Sequence, residues 1–507
     1  MTMSNESIDL PEGWTSVKFF ELAKQNSNSI KRGPFGSAIK KEFFVSSGYK
    51  VYEQKNAIYN DCNLGSYYID EAKFIELQDF QVQAGDIIVS CSGTVGKISV
   101  LPETAEKGII NQALLKISLD QRIVHTNYFI YLFNSDFFQN IFLGNTRGSA
   151  MQNIASVKAL KQAELLLPPI AEQKRIVAKI EELRSRTQKA REALEVIPRL
   201  CDRFRQSVLA AAFRGDLTAD WREENPDVEP AEALLERFRK ERYDRWKSER
   251  ISKGKKPDPA QYKKPKPVDS SERPTLPIQW TWATVEELAE TSLGKMLDQG
   301  KEKKGQSFHY LRNINVRWNH IDTTDLLQMY FEEDELERYS VKFGDILICE
   351  GGEPGRAAVW TGNSDAFKYQ KALHRVRPFL PLESLWLIYH LKFEAGTGAL
   401  EQYFTGTTIR HFTGVALARY SVRLPSLAEQ KEIILRIQKL FAIIDRIQHQ
   451  YEASARRLEK LDRAILTKAF RGELVPQDPN DEPASVLLER IREERSKNNN
   501  KPIQRKR

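Results

Sequence analysis

The stretch LPPIAEQKRIVAKI beginning at Leu167 returns as LPSLAEQKEIILRI beginning at Leu424. AAFRGDL follows the first copy and KAFRGEL the second at the same distance, so Leu167 to Leu424 and Phe213 to Phe470 are equal separations. Loops tolerate changes of length, so a register held over more than forty residues predicts rigid, periodic elements. Alternating steps of four and three from Ile176 reach Ile180, Leu183, Thr187, Ala190, Leu194, Ile197, Cys201, Phe204 and Val208. The second copy gives Ile433, Ile437, Leu440, Ile444, Leu458 and Leu461 on the same steps. This spacing keeps one apolar stripe facing a partner helix, as in a coiled coil. About forty residues at roughly 1.5 Å each make a rod of roughly 60 Å.

Prolines stand just ahead of each rod (Pro168 and Pro169; Pro425), and Glu172 and Glu429 fall in the first turns, where the helix dipole favours an acid. Gly215 and Gly472 are candidate C-terminal caps. Pro198 lies inside the first seam and should kink or interrupt it, whereas its counterpart is Ala455.

The repeat reaches beyond the rods. EPAEALLERFRKER from Glu229 matches EPASVLLERIREER from Glu482, LPEGW at Leu10 matches LPIQW at Leu276, and AGDIIVSCSGTVGKISVL at Ala84 loosely matches FGDILICEGGEPGRAAVW at Phe343. A chain of 507 residues is too long for one core, and an imperfect tandem duplication accounts for its length. DIIVS, ALLKI, DILIC and ALHRV look like short strands bounded by glycine turns, with helical stretches such as YFIYLFNSDFFQNIF between them. The expected fold class is α+β: two mixed α/β domains and two long helices. The boundaries are a first globular domain (1–166), a first long helix (167–216), a short helix and basic linker (217–275), a second globular domain (276–423), a second long helix (424–475), and a short helix with a basic tail (476–507).

The sequence carries little chemistry of its own. Cys62, Cys91, Cys201 and Cys349 lie far apart without ligand-spaced histidines, so neither a metal site nor a disulfide framework is expected. GTVGK at Gly93 lacks the full phosphate-loop pattern and reads better as a tight turn. The Pro-Pro step in LLLPPI is flanked by apolar residues, so it does not match the polar catalytic loop of an amino-methyltransferase. No apolar run approaches a membrane span, and the polar, acidic start is unlike a signal peptide, which points to the cytoplasm.

The formal charge of +8 invites a nucleic-acid reading. Lys240 to Arg273 holds twelve Lys/Arg against six Asp/Glu, and Arg495 to Arg507 six against none. The surplus therefore lies in a linker and a tail. The first globular domain carries sixteen Lys/Arg against seventeen Asp/Glu and the second seventeen against nineteen, so binding of a polyanion by either would rest on local patches.

The order LPEGW, GPFGSAIKK at Gly33, GDIIVSCSG, LPPIAEQKRIV, AAFRGDL, then LPIQW, GDILICEGG, LPSLAEQKEII, KAFRGEL resembles the specificity subunit of type I restriction-modification systems over nearly the whole chain. That resemblance implies a chain built like a pseudo-symmetric dimer. Two target-recognition domains each read half of a split, non-palindromic sequence in double-stranded DNA, and the two long helices pack antiparallel as a spacer. It implies two methyltransferase subunits, two restriction/translocase subunits and no catalysis on this chain. S-adenosylmethionine, ATP and Mg would then belong to the partners. The rival reading is a coiled-coil structural adaptor that reads no sequence; a self-sufficient methyltransferase or nuclease is disfavoured by the missing motifs.

Patches that combine cations with amides and hydroxyls suit phosphates and base edges. In the first domain these are Lys31, Arg32, Lys40, Lys41, Gln54, Lys55, Arg147, Gln152 and Asn153. In the second they are Arg312, Asn313, Arg317, Lys368, Gln370, Lys371, Arg375, Thr408, Arg410 and His411.

Overall fold

The computed structural model describes residues 10–144, 154–296, 304–362 and 367–499. Five helices carry the repeat: α1 (Ile170–Glu195), α2 (Ile197–Arg214), α3 (Ala231–Ser252), α4 (Leu427–Ala469) and α5 (Ala484–Asn499). The first rod is two helices. Pro198 lies in the opening turn of α2, where its missing N–H needs no partner, and the chain breaks just before it. The second rod, with Ala455 in place of the proline, runs unbroken for 43 residues.

The chain divides into two compact units, one of residues 1–195 with 453–507 and the other of 196–452. Each combines one globular domain, one half of the first rod, one half of α4 and one short helix. The first unit takes α5 and the second takes α3, so each domain is completed by the short helix that precedes it in the repeat or, for the first domain, by the one that ends the chain.

In the first unit, Ile30–Arg32, Leu114–Ile117, Ile87–Ser90 and Ile98–Val100 form an antiparallel sheet in that order. A second sheet contains the parallel pair Tyr49–Tyr52 and Gly108–Ile110. The predicted helical stretch forms Thr126–Phe133 and Asp136–Leu143, whose phenylalanines pack with Phe19. In the second unit the corresponding sheet is Ala289–Leu293, Leu373–Pro378, Ile346–Cys349 and Ala357–Val359, and the parallel pair is Gln306–Leu311 with Phe367–Tyr369. The four predicted strands are therefore central strands, which explains why they read as continuous apolar runs rather than as alternation. Each domain ends as it began: Thr15–Lys18 pairs with Glu164–Leu167, and Thr281–Thr284 with Ser421–Leu424.

The two repeated phrases meet. In the first unit Trp14 Nε1, from LPEGW, donates to both oxygens of the buried Glu172 carboxylate at 3.1 and 3.0 Å. In the second, Trp280 Nε1, from LPIQW, donates to Glu429 at 2.8 Å. The adjoining glutamines are also fully buried and bond only to backbone. Gln173 Nε2 reaches the Ile123 and Pro168 carbonyls and its Oε1 accepts from the His125 N–H, while Gln430 Nε2 reaches the Pro425 carbonyl and its Oε1 accepts from the Glu383 N–H. The Glu-Gln of each AEQK is thus the joint between rod and domain.

The rods pair antiparallel inside each unit. In the first unit Arg191 of α1 pairs with Asp462 of α4, and Arg175, nearer the start of α1, with Asp481 beyond the end of α4; in the second, Arg205 of α2 pairs with Asp445 of α4, and Asp220, just past the end of α2, with Arg436. Ile176, Ile180, Ile433, Ile437 and Ile444 are fully buried, and Leu183 and Leu440 pack at the edges of the cores; Leu194 and Leu458 are half-buried. Phe204 and Leu461 correct the expected seam, being 45% and 47% exposed. They are the same position in the two copies, and in each the next residue turns inward. Arg205 bonds Asp445 at 2.7 Å and Gln448 at 3.1 Å, and Asp462 bonds Thr187 at 3.0 Å and Arg191 at 2.9 Å. A straight helix drifts against a strict seven-residue repeat, and a polar pair takes up the slip.

The short helices pack on domains. Leu234, Leu235 and Phe238 join the core around Trp280 and Val285, and Leu487, Leu488 and Ile491 the core around Trp14 and Phe19. Arg239 of α3 holds Glu287 at 2.8 Å. Arg495 of α5 holds Asp120 at 2.9 Å; burial opposes charge on Asp120, but bonds from Arg122 and Arg495 prevail and lower its pKa to about 2. The stretch 240–273, expected as part of a basic linker, is helical up to Ser252, and Tyr262 beyond it packs on Tyr243 and Trp246 with ring centres 5.0 and 5.2 Å away. Among the described residues, no helix is long and apolar enough to cross a membrane, and no cluster of three or more His, Cys, Asp or Glu could hold a metal.

Candidate nucleic-acid interface

Each globular domain gathers four loops at one end of its central strands. The first loop leaves Arg32 through Gly33, whose N–H donates to the Leu114 carbonyl at 2.9 Å. A Cβ on Gly33 would lie 1.9 Å from the Asn111 carbonyl oxygen, so only glycine fits. Gly294 repeats this, with its N–H on the Leu373 carbonyl at 3.0 Å and a Cβ that would lie 2.2 Å from the Gln370 oxygen.

The second loop follows the parallel strand and opens a single helical turn. Asn56 Oδ1 accepts from the Glu53 N–H at 2.8 Å, and Asn56 Nδ2 donates to the Asp61 and Leu64 carbonyls. Asn315 does the same with the Arg312 N–H at 2.9 Å and the Asp322 and Asp325 carbonyls. These buried amides hold the loops that present Gln54 with Lys55 and, in the second domain, Asn313.

The third loop is the glycine turn. Gly96 donates its N–H to the Ser90 carbonyl and Gly355 to that of Cys349, both at 2.9 Å. Gly93 and Gly352 carry φ of +61° and +82°, so GTVGK and its partner GGEPGR are tight turns, as their incomplete phosphate-loop pattern suggests. The fourth loop joins the parallel strand to the central one. The Asn111 N–H reaches the Tyr52 carbonyl at 3.0 Å, and the Gln370 N–H that of Leu311 at 3.1 Å. Cys91 and Glu350, entering the third loop, donate to the Ala113 and Ala372 carbonyls of the fourth.

The loops close around common ground. Arg32 Nε reaches the Gln112 carbonyl at 3.3 Å, and Asn313 Nδ2 that of Gly351 at 3.3 Å. Arg32, Phe35, Ser92 and Gln112 line a cleft of about 610 Å³. In the second domain a further loop is pinned by the reciprocal backbone bonds of Thr405 and His411, and it carries exposed Thr408 and Arg410, the latter paired with Glu401 at 2.9 Å. His411 packs over Gly351, where a Cβ would stand 3.4 Å from its Nδ1.

Of the residues expected from the sequence, the loops therefore bring together Arg32, Gln54 and Lys55 in one domain and Arg312, Asn313, Gln370, Lys371, Thr408, Arg410 and His411 in the other. Lys40 and Lys41 are exposed just beyond the first loop, and Arg317 is exposed on the Val316–Arg317 hairpin. Lys31 is held by Asp79 at 2.7 Å over the Phe80 ring. Arg147, Gln152 and Asn153 lie outside the described residues.

Two expectations are corrected. Lys368 is 4% exposed, with Nζ on the Leu336 carbonyl at 2.8 Å and over the Phe308 ring. Arg375 is 3% exposed and bonds the Arg338 and Ser340 carbonyls and Glu290. Both sit on strands and bond inward to loop carbonyls and Glu290. Lys116, at the Arg375 position of the first domain, likewise donates to the Gln81 carbonyl. Asn111 and Gln112 were missed. They occupy the places of Gln370 and Lys371 directly before the Ala-Leu of ALLKI and ALHRV, so aligning those two strands would have found them.

The family described as type I restriction modification DNA specificity domain matches residues 11–198 and again 277–454. The chain belongs to that family. The two matches cover the two globular domains and the first part of each rod. The chain is 24% identical over 515 residues to the EcoKI specificity subunit of Escherichia coli K12, covering 98% of both chains. It is 26% identical to the EcoBI specificity subunit of Escherichia coli, covering 88% of this chain and 86% of that one. It is 23% identical to the StySPI specificity subunit of Salmonella potsdam, covering 98% of both. Among solved structures, the HsdS subunit of Thermoanaerobacter tengcongensis matches with a TM-score of 0.52 and 20% identity, covering 93% of this chain and 100% of that one. A chain from a study of assembly and conformational transition of the type I R-M system matches with a TM-score of 0.59 and 19% identity, covering 92% and 99%. These two likenesses establish the shared fold.

Proposed function

We propose that this chain is the sequence-reading subunit of a type I restriction-modification complex, each globular domain reading one half of a split target in double-stranded DNA. The observation that carries the reading is the repeated loop cluster: one scaffold, built twice with the same backbone bonds, presents different side chains. Gln54, Lys55, Asn111 and Gln112 stand in one domain, and Asn313, Gln370, Lys371 and His411 in the other. Amides and cations are the groups that distinguish base edges, and unequal sets read unequal half-sites, so the target is not palindromic.

The paired helices act as the spacer and, with off-seam positions such as Lys174 and Lys179, as the docking surface for two methyltransferase subunits. Adenine methylation with S-adenosylmethionine, and ATP-driven translocation and cleavage with Mg, belong to partner subunits. Because both globular domains are close to neutral, phosphate attraction is weak. The chain alone therefore binds DNA poorly, and the methyltransferase partner tightens the complex by clamping the duplex.

The test is single-molecule methylome sequencing of cells expressing the chain with its methyltransferase, against cells with the methyltransferase alone. A split, non-palindromic adenine-methylation motif that depends on the chain is expected. No such motif from an assembled, competent complex would instead favour a coiled-coil adaptor. Equal DNA affinity with and without the partner would overturn the clamping part.

A further inference from the structure

The first loop of the first domain presents a side chain that neither the core nor the polar readout uses. Phe35 is 90% exposed, although phenylalanine is a residue that folding ordinarily buries. Its backbone is pinned from both sides. Gly33 is fixed against Leu114 and Asn111, Pro34 is buried, and the Phe35 carbonyl accepts the Ala38 N–H at 2.9 Å. The ring thus stands on a rigid support at the edge of the cleft it shares with Arg32, Ser92 and Gln112. Lys31 and Arg32 line the same cleft, and exposed Lys40 and Lys41 follow a few residues later in the chain.

The second domain repeats the device with another residue. Met296 stands two positions after Gly294, as Phe35 does after Gly33, and is 59% exposed. The sequences of the two loops share only the glycine. The recurrence of a large apolar side chain at one structurally equivalent, exposed position is an observation independent of Phe35 itself.

Cations beside one protruding apolar group fit a duplex. The cations meet phosphates while the apolar group enters between base pairs, unstacking one step and bending the helix. We propose that Phe35, and Met296 at the equivalent place, is a wedge that enters one base step of its half-site and opens it for Gln54, Gln112 and their counterparts in the second domain. The inference rests on the DNA-reading function proposed above and adds to it a positioning residue for each half-site.

The experiment uses the complex of the full chain with its methyltransferase and duplexes bearing the motif that methylome sequencing returns. 2-Aminopurine is placed in turn at each step of both half-sites, and affinity is measured for wild type, Phe35→Ala and Met296→Ala on intact duplexes and on duplexes with a mismatch at the reporting step. Wild type should brighten the probe at one step in each half. Phe35→Ala should abolish the signal in one half only and weaken intact-duplex binding about tenfold. A mismatch at that step, already unstacked, should restore binding to within about twofold of wild type on the same duplex. Met296→Ala should act on the other half.

Wild-type affinity in Phe35→Ala, or an equal loss on intact and mismatched duplexes, would overturn the wedge. So would failure of Phe35→Ala to assemble with the methyltransferase at size exclusion, which would make the ring a protein contact. A wild-type complex that binds target and scrambled duplexes equally would overturn the DNA-reading function itself, and the wedge with it.

Discussion

Glu172 and Glu429 occupy the same place in the two copies of one phrase, and each accepts a tryptophan N–H, yet their charges are balanced differently. Around Glu172 the remaining donor is neutral, Gln477 Nε2 at 3.3 Å. Around Glu429 stand the Thr218 hydroxyl at 2.7 Å and the Arg222 guanidinium. Burial pushes the Glu172 carboxyl above its ordinary pKa, and the bonds from Trp14 and Gln477 only partly oppose it. What recurs in the sequence is the acceptor that the tryptophan requires, while the compensation for its charge is free to differ. A buried polar contact can therefore persist as a motif even where its electrostatics do not.

The largest expected effect breaks this difference. Glu429→Gln keeps an acceptor for Trp280 but leaves Arg222, mostly buried, without its counter-ion. Loss of one partner of a buried pair costs about 3–5 kcal/mol, so hydrogen exchange should show the second unit opening far more readily. Glu172→Gln removes a buried charge that no cation bonds, the nearby Arg175 being paired with Asp481, and retains the tryptophan bond, so the first unit should stay within about 1 kcal/mol of wild type. Equal losses from the two variants would show that Arg222 contributes nothing.

The reading loops offer a second contrast of about 1–3 kcal/mol in base discrimination. Gln54→Ala should relax one base position in one half of the methylation motif and leave the other half intact, and Asn313→Ala should do the converse. Relaxation of both halves by either variant, seen in the methylome, would mean that the domains do not read independently.

How much was legible beforehand depended on whether the signal was periodic or spatial. The rods and the four central strands follow from apolar patterning, because burial of a face imposes a period on the sequence, and the break at Pro198 follows from the proline's missing N–H. The partners of Glu172 and Gln173 did not follow, because Trp14 and Ile123 meet them only through the tertiary fold. The same limit separates the buried Arg375 from the exposed Lys371: both are cations four residues apart, but Arg375 lies within the central strand Leu373–Pro378 and Lys371 in the turn before it. Phe35 carried no warning, since an apolar residue beside glycine and proline reads equally well as core.

The seam shows a third, smaller contrast. Its strict four-three steps selected Phe204 and Leu461, but the structure turns Arg205 and Asp462 inward, with the cation on the first rod in both units and the acid on α4. Reversing one such pair, Arg191→Asp with Asp462→Arg, should preserve the first unit, while either change alone should cost about 1 kcal/mol in urea denaturation. Phe204→Ala and Leu461→Ala, being exposed, should each stay within about 0.5 kcal/mol.

The smallest effect is the pH dependence that the Glu172 contrast predicts. Its folded carboxyl lies above the ordinary value, so between the unfolded and folded pKa values the native state holds the proton more often than the unfolded chain does. Unfolding free energy then falls as pH rises through that window. Below the unfolded value the protonated side chain carries no such penalty, and above the folded value the penalty is complete and constant. Glu172→Gln cannot titrate, so the difference in stability between wild type and this variant should shift toward the variant as pH rises above about 4.3, the usual glutamate value. The shift should be confined to hydrogen exchange in the first unit. A difference that stays flat across the carboxylate range would mean that the Trp14 and Gln477 bonds fully offset the burial of the charge, and that the two keystones are equivalent after all.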